Sequence, residues 1–341
     1  MDPDGTRICM MSMRTIYAGC RRAAFGLLGS AMLCAPHVGA TPLQFGSFTA
    51  DDVLLVVAPH PDDESLCCAG AIERARAAGA RVAIVWITSG DAFEIDAHVV
   101  ERRLITGTQG LLDLARMRMR EASRVAALLD IAPAQRFFLG YPDRGLAHLL
   151  ADPRDLAYVS PHTGAAAVPY AEAFAPGAAY TGSNLERDLG AVIDRVQPTW
   201  VLAPTPLDEH EDHRATGQLV MRAMGDRGQL SRVRYWIVHG GFEWPWPRGL
   251  NPQDALLPPR LARALPWHNF ELGEQERTTK AVAIRLYKTQ MLLTSSFMLS
   301  FVKRNEIYTA APLMPALPAA VIQRNSAPKP KSSTSAKNEL K

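Results

Sequence analysis

The chain is constrained most by a short stretch in which a buried-strand pattern ends abruptly in charge. Residues 53–58 (VLLVVA) form a nearly continuous apolar run, which is typical of a strand buried on both faces of a parallel sheet. His60, Asp62, Asp63 and Glu64 follow at once, where a helical pattern begins. Ionisable side chains are costly beside a buried strand unless they are paired or bind a ligand. The stretch therefore predicts a strand, a functional loop and a helix.

The segments that follow indicate an α/β fold. The helical pattern runs from Asp63 to Ala78, and residues 81–88 (RVAIVWIT) form a second apolar run. Strand, helix and strand within one short segment predict two parallel strands joined by a right-handed crossover. Further strands are predicted at 136–139, 199–203 and 233–238, and further helices at 111–129, 183–196, 213–224 and 274–290. We therefore predict an α/β domain with a mostly parallel sheet.

Several segments carry more local predictions. Residues 183–186 (SNLE) match a capping box that opens a helix. Residues 144–181 are rich in Ala, Pro and Gly without a clear period, and we expect this long loop to cover the active site. Trp244, Trp246 and Trp267 would suit a substrate rim, but packing of an irregular segment is the favoured interpretation.

A second charged cluster, residues 208–213 (DEHEDH), follows the predicted strand 199–203 and opens another helix. Ligands of parallel α/β sheets bind outside the carboxyl ends of the strands, so the two clusters are expected to form one site. Two histidines and a carboxylate with one open position are an established catalytic zinc arrangement, and the same set suits Fe²⁺. The preferred ligand set is His60, Asp63 and His213.

The remaining groups are predicted to act on a water molecule. Zinc lowers the pKa of a bound water to near ~7, and Asp62 is the candidate general base beside it. His210 would stabilise a developing oxyanion or protonate a leaving amine. Spacing alone leaves open which of Asp62 and Asp63 is the ligand and which the base. The acidic residues would also serve simply as favourable charges or N-caps at helix N-termini, Asp208 and Asp212 included.

These motifs resemble those of the PIG-L/LmbE-like N-deacetylase family. The likeness is carried by residues 59–64 (PHPDDE) and 210–214 (HEDHR), with weaker similarity at residues 118–130, 140–143 and 280–290. In one departure, Glu211 occupies the position of a proline in the second family motif. The resemblance implies a Rossmann-like, mostly parallel sheet with helices on both faces.

The resemblance also implies an activity and a division of roles. The family removes the N-acetyl group from N-acetylglucosamine-type glycoconjugates, with zinc as cofactor. It assigns Asp63 as a ligand and Asp62 as the base that activates a zinc-bound water, and it makes His210 the transition-state stabiliser. Arg118 and Asp143 are implied to lie near the sugar. Two alternatives remain open: a zinc amidase or esterase with a non-sugar substrate, and a non-catalytic glycan-binding relative.

The two ends of the chain differ from the part between them. Within residues 1–40, basic residues precede an apolar stretch and a small-residue pattern, which predicts a secretory signal peptide. We expect a periplasmic or secreted protein, membrane-anchored if the signal is uncleaved. Residues 41–325 would form the deacetylase domain. Residues 326–341 are rich in Pro, Lys and Ser, which predicts a disordered tail.

The composition of the chain limits the classes of partner that it is expected to bind. The net charge of +3 and the lack of a basic patch interleaved with aromatics argue against nucleic-acid binding. The family resemblance implies an amino-sugar glycoconjugate as the partner. The sequence does not indicate an oligomeric state. Cys67 and Cys68 are expected to pack as small apolar residues, because neighbours in sequence rarely form a disulfide.

Overall fold

A five-stranded parallel sheet organises the computed structural model, which describes residues 45–92 and 107–310. Its strands are β1 (Val53–Ala58), β2 (Arg81–Thr88), β3 (Arg136–Tyr141), β4 (Trp200–Pro204) and β5 (Val233–Trp236). All neighbouring strands are parallel, in the order β3-β2-β1-β4-β5. The predicted α/β fold with a Rossmann-like sheet is confirmed.

Seven α-helices are found in the described chain, most of them in the connections between strands. They are α1 (Asp63–Ala77), α2 (Thr108–Leu128), α3 (Leu146–Ala151), α4 (Gly182–Val196), α5 (Glu211–Asp226), α6 (Glu274–Leu286) and α7 (Lys288–Leu299). The chain moves one way along the sheet from β1 to β2 and the other way from β4 to β5. Right-handed crossovers therefore place α1 and α5 on opposite faces. None of the helices in the described ranges combines the length and apolarity that a membrane span requires.

The core is built around β1, because it lies at the centre of the sheet. From Leu54 to Ala58 every residue of this strand is inaccessible to solvent, as expected for a strand buried on both faces. A two-stranded antiparallel unit, β6 (His268–Glu271) and β7 (Asn305–Tyr308), flanks the sheet. Buried Glu306 of β7 accepts from the Lys280 ammonium at 2.7 Å and from the backbone N–H of Gly70 at 2.9 Å. This contact ties α6 and β7 to α1.

Several local predictions need correction. Thr181, and not Ser183, caps α4, because its hydroxyl accepts from the N–H of Asn184 at 3.2 Å and the Ser183 hydroxyl turns to Asp155. The predicted helix 274–290 breaks at Tyr287 into α6 and α7. Within α6, the apolar side chain of Val282 is 42% exposed.

Two further predictions concern the adjacent cysteines and the ends of the chain. Cys67 and Cys68 are buried in α1 as predicted, but the structure joins them in a disulfide, which the sequence analysis argued against. The bond spans one peptide unit, so it cross-links no separate parts of the chain. The predicted signal peptide and C-terminal tail lie outside the described residues.

Candidate metal centre and active site

Two loops meet where the strand order reverses. The first loop (residues 59–64) follows β1 and includes the start of α1. The second loop (residues 205–213) follows β4, the neighbour of β1 in the sheet, and includes the start of α5. The connections from these strands leave toward opposite edges, so a crevice opens between them at the carboxyl ends. Sequence-predicted residues from both loops line a cavity of about 200 Å³ at this point, hereafter the central cavity; they are His60, Asp62, Asp63 and His210.

Three side chains converge at this crevice. The His60 Nδ1 atom lies 3.3 Å from Asp63 Oδ2, and His213 Nε2 lies 3.2 Å from the same oxygen. The two ring nitrogens are 3.3 Å apart. A tetrahedral zinc ion at about 2.0–2.1 Å from each ligand would separate the donor atoms by about 3.3–3.4 Å. The donor types and their separations therefore fit such an ion, while the ligand roles of these residues stay a prediction.

Carboxylates hold both imidazoles in the orientation that this triangle needs. The Nε2 atom of His60 lies 3.3 Å from both Asp143 Oδ1 and Asp212 Oδ2. The Nδ1 atom of His213 lies 3.2 Å from Asp208 Oδ2. A carboxylate on the outer nitrogen places the ring proton there and leaves the lone pair of the inner nitrogen facing the triangle.

These contacts extend the sequence analysis at three positions. Asp208 and Asp212 were considered as N-caps, but the N-cap of α5 is His210, whose Nδ1 accepts from the N–H of Asp212. Asp208 instead accepts from the backbone N–H groups of Val238 and His239, each at 3.0 Å. Asp143 lines the central cavity as well as facing His60. Its predicted contact with a sugar stays a prediction.

The cluster is strongly polarised by its own charges. Burial alone would lower the pKa values of both histidines, but the surrounding carboxylates raise that of His60 well above 6.5 and that of His213 to about 9. Burial alone would raise the pKa of Asp63, yet the two histidines lower it well below 3.8. Without an ion the triangle thus favours protonated imidazoles, and a cation that binds there displaces protons.

Asp62 differs from its neighbour in backbone and in charge state. Its φ of 122° is rare for a residue with a side chain, and such a conformation costs on the order of 1–3 kcal/mol. Burial and the adjacent Asp63 and Glu64 carboxylates raise its pKa well above 3.8. The side chain lines the central cavity. A carboxylate with a raised pKa beside a candidate metal site is suited to accept a proton.

Glu64 fixes the first loop from within the core. This fully buried carboxylate accepts from the Tyr287 hydroxyl at 2.6 Å and from the Trp86 indole at 2.9 Å. It also accepts from the N–H of Asp62 at 3.2 Å. Glu64 therefore connects the strained residue to β2 and to the break between α6 and α7.

His210 is held as a neutral hydrogen-bond donor. Because its Nδ1 accepts from the N–H of Asp212 at 3.2 Å, the ring proton resides on Nε2. Burial and the neighbouring His60 and His213 lower the pKa of His210 to about 2. The arrangement favours the predicted role in stabilising an oxyanion over that of a cationic acid.

Arg118 reaches the central cavity from α2. Arg118 is 5% exposed, and its Nη1 atom donates to the carbonyl of Gly90 at 2.7 Å. A Cβ atom at position 90 would lie 2.5 Å from Nη1, and the φ of Gly90 is +70°, so glycine is needed there. The predicted role of Arg118 in holding a sugar is consistent with this position and stays a prediction.

Two parts of the site were not foreseen. His239, just beyond β5, is grouped with Asp63 and His213 as a possible metal-binding set and lines the central cavity. The sequence could have indicated His239, because it follows an apolar run directly, as the two charged clusters do. The loop 144–181 was expected to cover the site, but of its residues Arg144 alone lines the central cavity, and α7 supplies a wall through Gln290 and Phe297.

Comparison with known proteins identifies the family of this domain. Residues 55–224, which include every residue of the triangle, match the PIG-L family model, described as GlcNAc-PI de-N-acetylase. The chain contains a PIG-L family domain. Over 180 residues it is 30% identical to a 1D-myo-inositol 2-acetamido-2-deoxy-alpha-D-glucopyranoside deacetylase from Nakamurella multipartita. That match covers 50% of this chain and 54% of the relative, so the chain spans about half the length of the curated protein it matches.

Solved structures resemble this chain at low sequence identity. A triple mutant of the deacetylase Orf2*T of teicoplanin biosynthesis is 18% identical with a TM-score of 0.48, covering 75% of this chain and 96% of that chain. The N,N'-diacetylchitobiose deacetylase from Pyrococcus horikoshii is 17% identical with a TM-score of 0.45, covering 76% and 84%. At these TM-scores the structural similarities support no conclusion beyond the fold described above.

Proposed function

We propose that the protein is a metal-dependent hydrolase that removes an N-acetyl group from an N-acetylglucosamine-type glycoconjugate. The observation that carries the proposal is the triangle of His60 Nδ1, Asp63 Oδ2 and His213 Nε2, with separations of 3.2–3.3 Å, beside the raised-pKa carboxyl of Asp62. The PIG-L family match and the named activity of the Nakamurella relative support an amino-sugar amide as the substrate.

The chain supplies the groups that hydrolysis of an amide requires. A Zn²⁺ or Fe²⁺ ion held by His60, Asp63 and His213 would supply a Lewis acid that lowers the pKa of a water molecule and polarises the amide carbonyl. Asp62 takes a proton from the attacking water, and His210 Nε2–H donates to the oxygen on which negative charge develops. The C–N bond then breaks, and the proton from Asp62 passes to the amine nitrogen, giving acetate and a free amino sugar.

Arg118 and Asp143 are proposed to position the sugar. Both line the central cavity and both are buried. A guanidinium and a carboxylate offer complementary hydrogen bonds to sugar hydroxyls, as donor and acceptor respectively. Loss of the Arg118 guanidinium is expected to raise KM more than it lowers kcat, because it contacts the ring and not the reacting amide. Loss of the Asp143 carboxylate would also release the His60 imidazole that it orients.

Acetate release tests the proposal directly. The metal-free protein is incubated with N-acetylglucosamine conjugates in the presence of Zn²⁺ or Fe²⁺, and products are followed by mass spectrometry for loss of an acetyl group. We expect deacetylation that chelation abolishes and metal restores. Hydrolysis of a simple ester or a non-sugar amide in preference to every amino-sugar conjugate would instead assign an esterase or a different amidase. Zinc-dependent glycan binding without product would assign a binding protein.

Export of the protein is proposed on the sequence pattern of residues 1–40. We propose that this segment is a signal peptide and that the enzyme acts in the periplasm or outside the cell. N-terminal sequencing of the protein recovered from cell fractions tests this: a mature chain that begins near residue 41 supports cleavage. An intact N-terminus in the membrane fraction would indicate an anchor.

A further inference from the structure

The central cavity is too small to hold a whole glycoconjugate. Its volume of about 200 Å³ lies below the range of about 300–1,000 Å³ that is usual for ligand pockets. A second depression of about 790 Å³ lies next to it and is lined by residues of the segment 240–263. We call this depression the aromatic cleft; its residues used below are Glu209, Phe242, Glu243, Trp246, Arg260 and Arg263.

A single wall of backbone separates the two spaces. His210 and His239 line the central cavity, while their chain neighbours Glu209 and Gly240 line the aromatic cleft. The N–H of Glu209 donates to the carbonyl of His239 at 2.9 Å, so the wall is one hydrogen-bonded pair of segments. The central cavity and the cleft therefore lie on either side of one pair of segments.

Two aromatic side chains of the cleft are exposed to solvent on a segment that hydrogen bonds hold in place. Phe242 is 96% exposed and Trp246 is 73% exposed, although large aromatic side chains are usually buried in soluble proteins. The adjacent Trp244 indole donates to the carbonyl of Leu257 at 2.7 Å, and the buried Lys303 ammonium donates to the carbonyl of Pro247 at 3.3 Å. Because these contacts order the segment in advance, a ligand pays little entropy to use the rings.

The chemistry of the cleft suits a neutral saccharide. Sugar rings present a flat face of C–H groups that stacks on aromatic rings, and hydroxyls that hydrogen-bond to carboxylates and guanidinium groups. The cleft offers two carboxylates, Glu209 and Glu243, and two guanidinium groups, Arg260 and Arg263. These charges balance, whereas a surface that binds anionic lipid carries an excess of basic residues.

We infer that the aromatic cleft binds a further sugar unit of the substrate, so that the enzyme acts on an oligosaccharide and not on a single amino sugar. This inference rests on the proposed deacetylase function and adds a substrate class to it. The N-acetylated sugar occupies the central cavity, and the next sugar passes the wall formed by Glu209 and His239 and stacks on Trp246 and Phe242.

Kinetics with substrates of two lengths test the inference. Acetate release is measured with N-acetylglucosamine and with its β-linked trimer, for the wild type and for Trp246→Ala, Phe242→Ala and Trp246→Phe. We expect Trp246→Ala to raise KM for the trimer by about threefold to tenfold, the usual effect of one aromatic contact, with kcat and the monomer KM unchanged. Trp246→Phe restores most of the loss. Leu128→Ala, which removes an exposed apolar side chain from the end of α2, is the matched control. It should leave KM and kcat unchanged for both substrates.

Other outcomes overturn the inference. An unchanged trimer KM, or an equal rise with monomer and trimer, would show that the cleft does not bind the next sugar. A loss seen with octyl N-acetylglucosaminide but not with the trimer would assign the cleft to an alkyl chain. If wild-type protein releases no acetate from any substrate, the proposed function fails, but calorimetric titration with the trimer still tests whether the cleft binds sugar. Binding by the wild type that is lost in Trp246→Ala supports the inference. No binding by the wild type, or unaltered binding in the variant, overturns it.

Discussion

The first loop and the second loop contribute to one site from adjacent strands, yet they are held in different ways. Pro61 of the first loop accepts at its carbonyl from the Gln290 side chain of α7 at 2.7 Å, and Glu64 accepts from Tyr287. In the second loop, Asp208 accepts from Val238 and His239, which follow the next strand. The first loop therefore depends on helices far away in sequence, and the second on its neighbour in the sheet.

The difference matches what each loop supplies. The first carries the candidate base in a strained conformation, with Asp62 at a φ of 122°, and strain persists only where surrounding contacts enforce it. The second carries His213 and the carboxylate that orients it, in a capped helix N-terminus that needs less support. The comparison predicts that loss of the contacts around Asp62 impairs chemistry, while loss of the carboxylate behind His213 impairs metal binding.

The largest expected effect is on chemistry, through the first loop. Asp62→Asn should lower kcat by about 10²–10⁴-fold, because a general base contributes about that much, while the metal content stays at the wild-type level. Acetate release and elemental analysis measure the two quantities. Asp51→Asn, at an exposed carboxylate shortly before β1, is the matched control. Loss of metal from the Asp62 variant would instead make Asp62 a ligand and exchange the roles of the two aspartates.

The second effect involves one histidine from each loop. His213, with a pKa of about 9, and His60, with a pKa well above 6.5, are protonated at pH 7 in the metal-free protein and must lose their protons to bind an ion. Zinc binding at pH 7 should therefore release protons, about one of them from His213, and its apparent affinity should rise with pH, with the His213 contribution levelling off above about pH 9. Calorimetry in buffers of different ionisation enthalpy counts the protons. Binding without proton release would show that the ion does not use these two rings.

The third effect is on metal affinity, through the second loop. Asp208→Asn removes the carboxylate that holds the His213 Nδ1 proton, and changes to such supporting groups typically cost about 10–100-fold in affinity. Competition with a zinc indicator measures it. Asp226→Asn, at an exposed carboxylate at the end of α5, should bind zinc as the wild type does. An unaltered affinity in Asp208→Asn would mean that the backbone alone orients His213.

The smallest expected effect distinguishes support of the first loop from general stabilisation of the fold. Tyr287→Phe and Tyr308→Phe each remove a buried hydroxyl that donates to a carboxylate, Glu64 and Glu306 respectively. Each change should lower the free energy of unfolding by about 1.5–3 kcal/mol, measured by urea denaturation. Only Tyr287→Phe should also lower kcat, by up to about tenfold, because Glu64 holds the N–H of Asp62. Equal kcat values in the two variants would show that the first loop does not need its distant anchor.

Local sequence predicted the sheet well, because each core strand is a continuous apolar run. The bounds of β1 and β2 agree with the predicted residues 53–58 and 81–88. Prediction was weaker where packing overrides local preference. The helix predicted over 274–290 breaks at Tyr287, whose hydroxyl is engaged by Glu64, a partner that lies more than 200 residues away. No pattern in the residues near 287 reveals that contact.

The sequence by itself predicted that His60, Asp63 and His213 meet, because they stand after strands whose carboxyl ends must share one edge of a parallel sheet. It did not determine which groups surround them. Asp143 and Asp212 reach His60 from separate connections, and His239 comes from the end of β5; only the order β3-β2-β1-β4-β5 brings them together. The exposed rings of the aromatic cleft likewise depend on the fold, since burial is a property of packing and not of residue type.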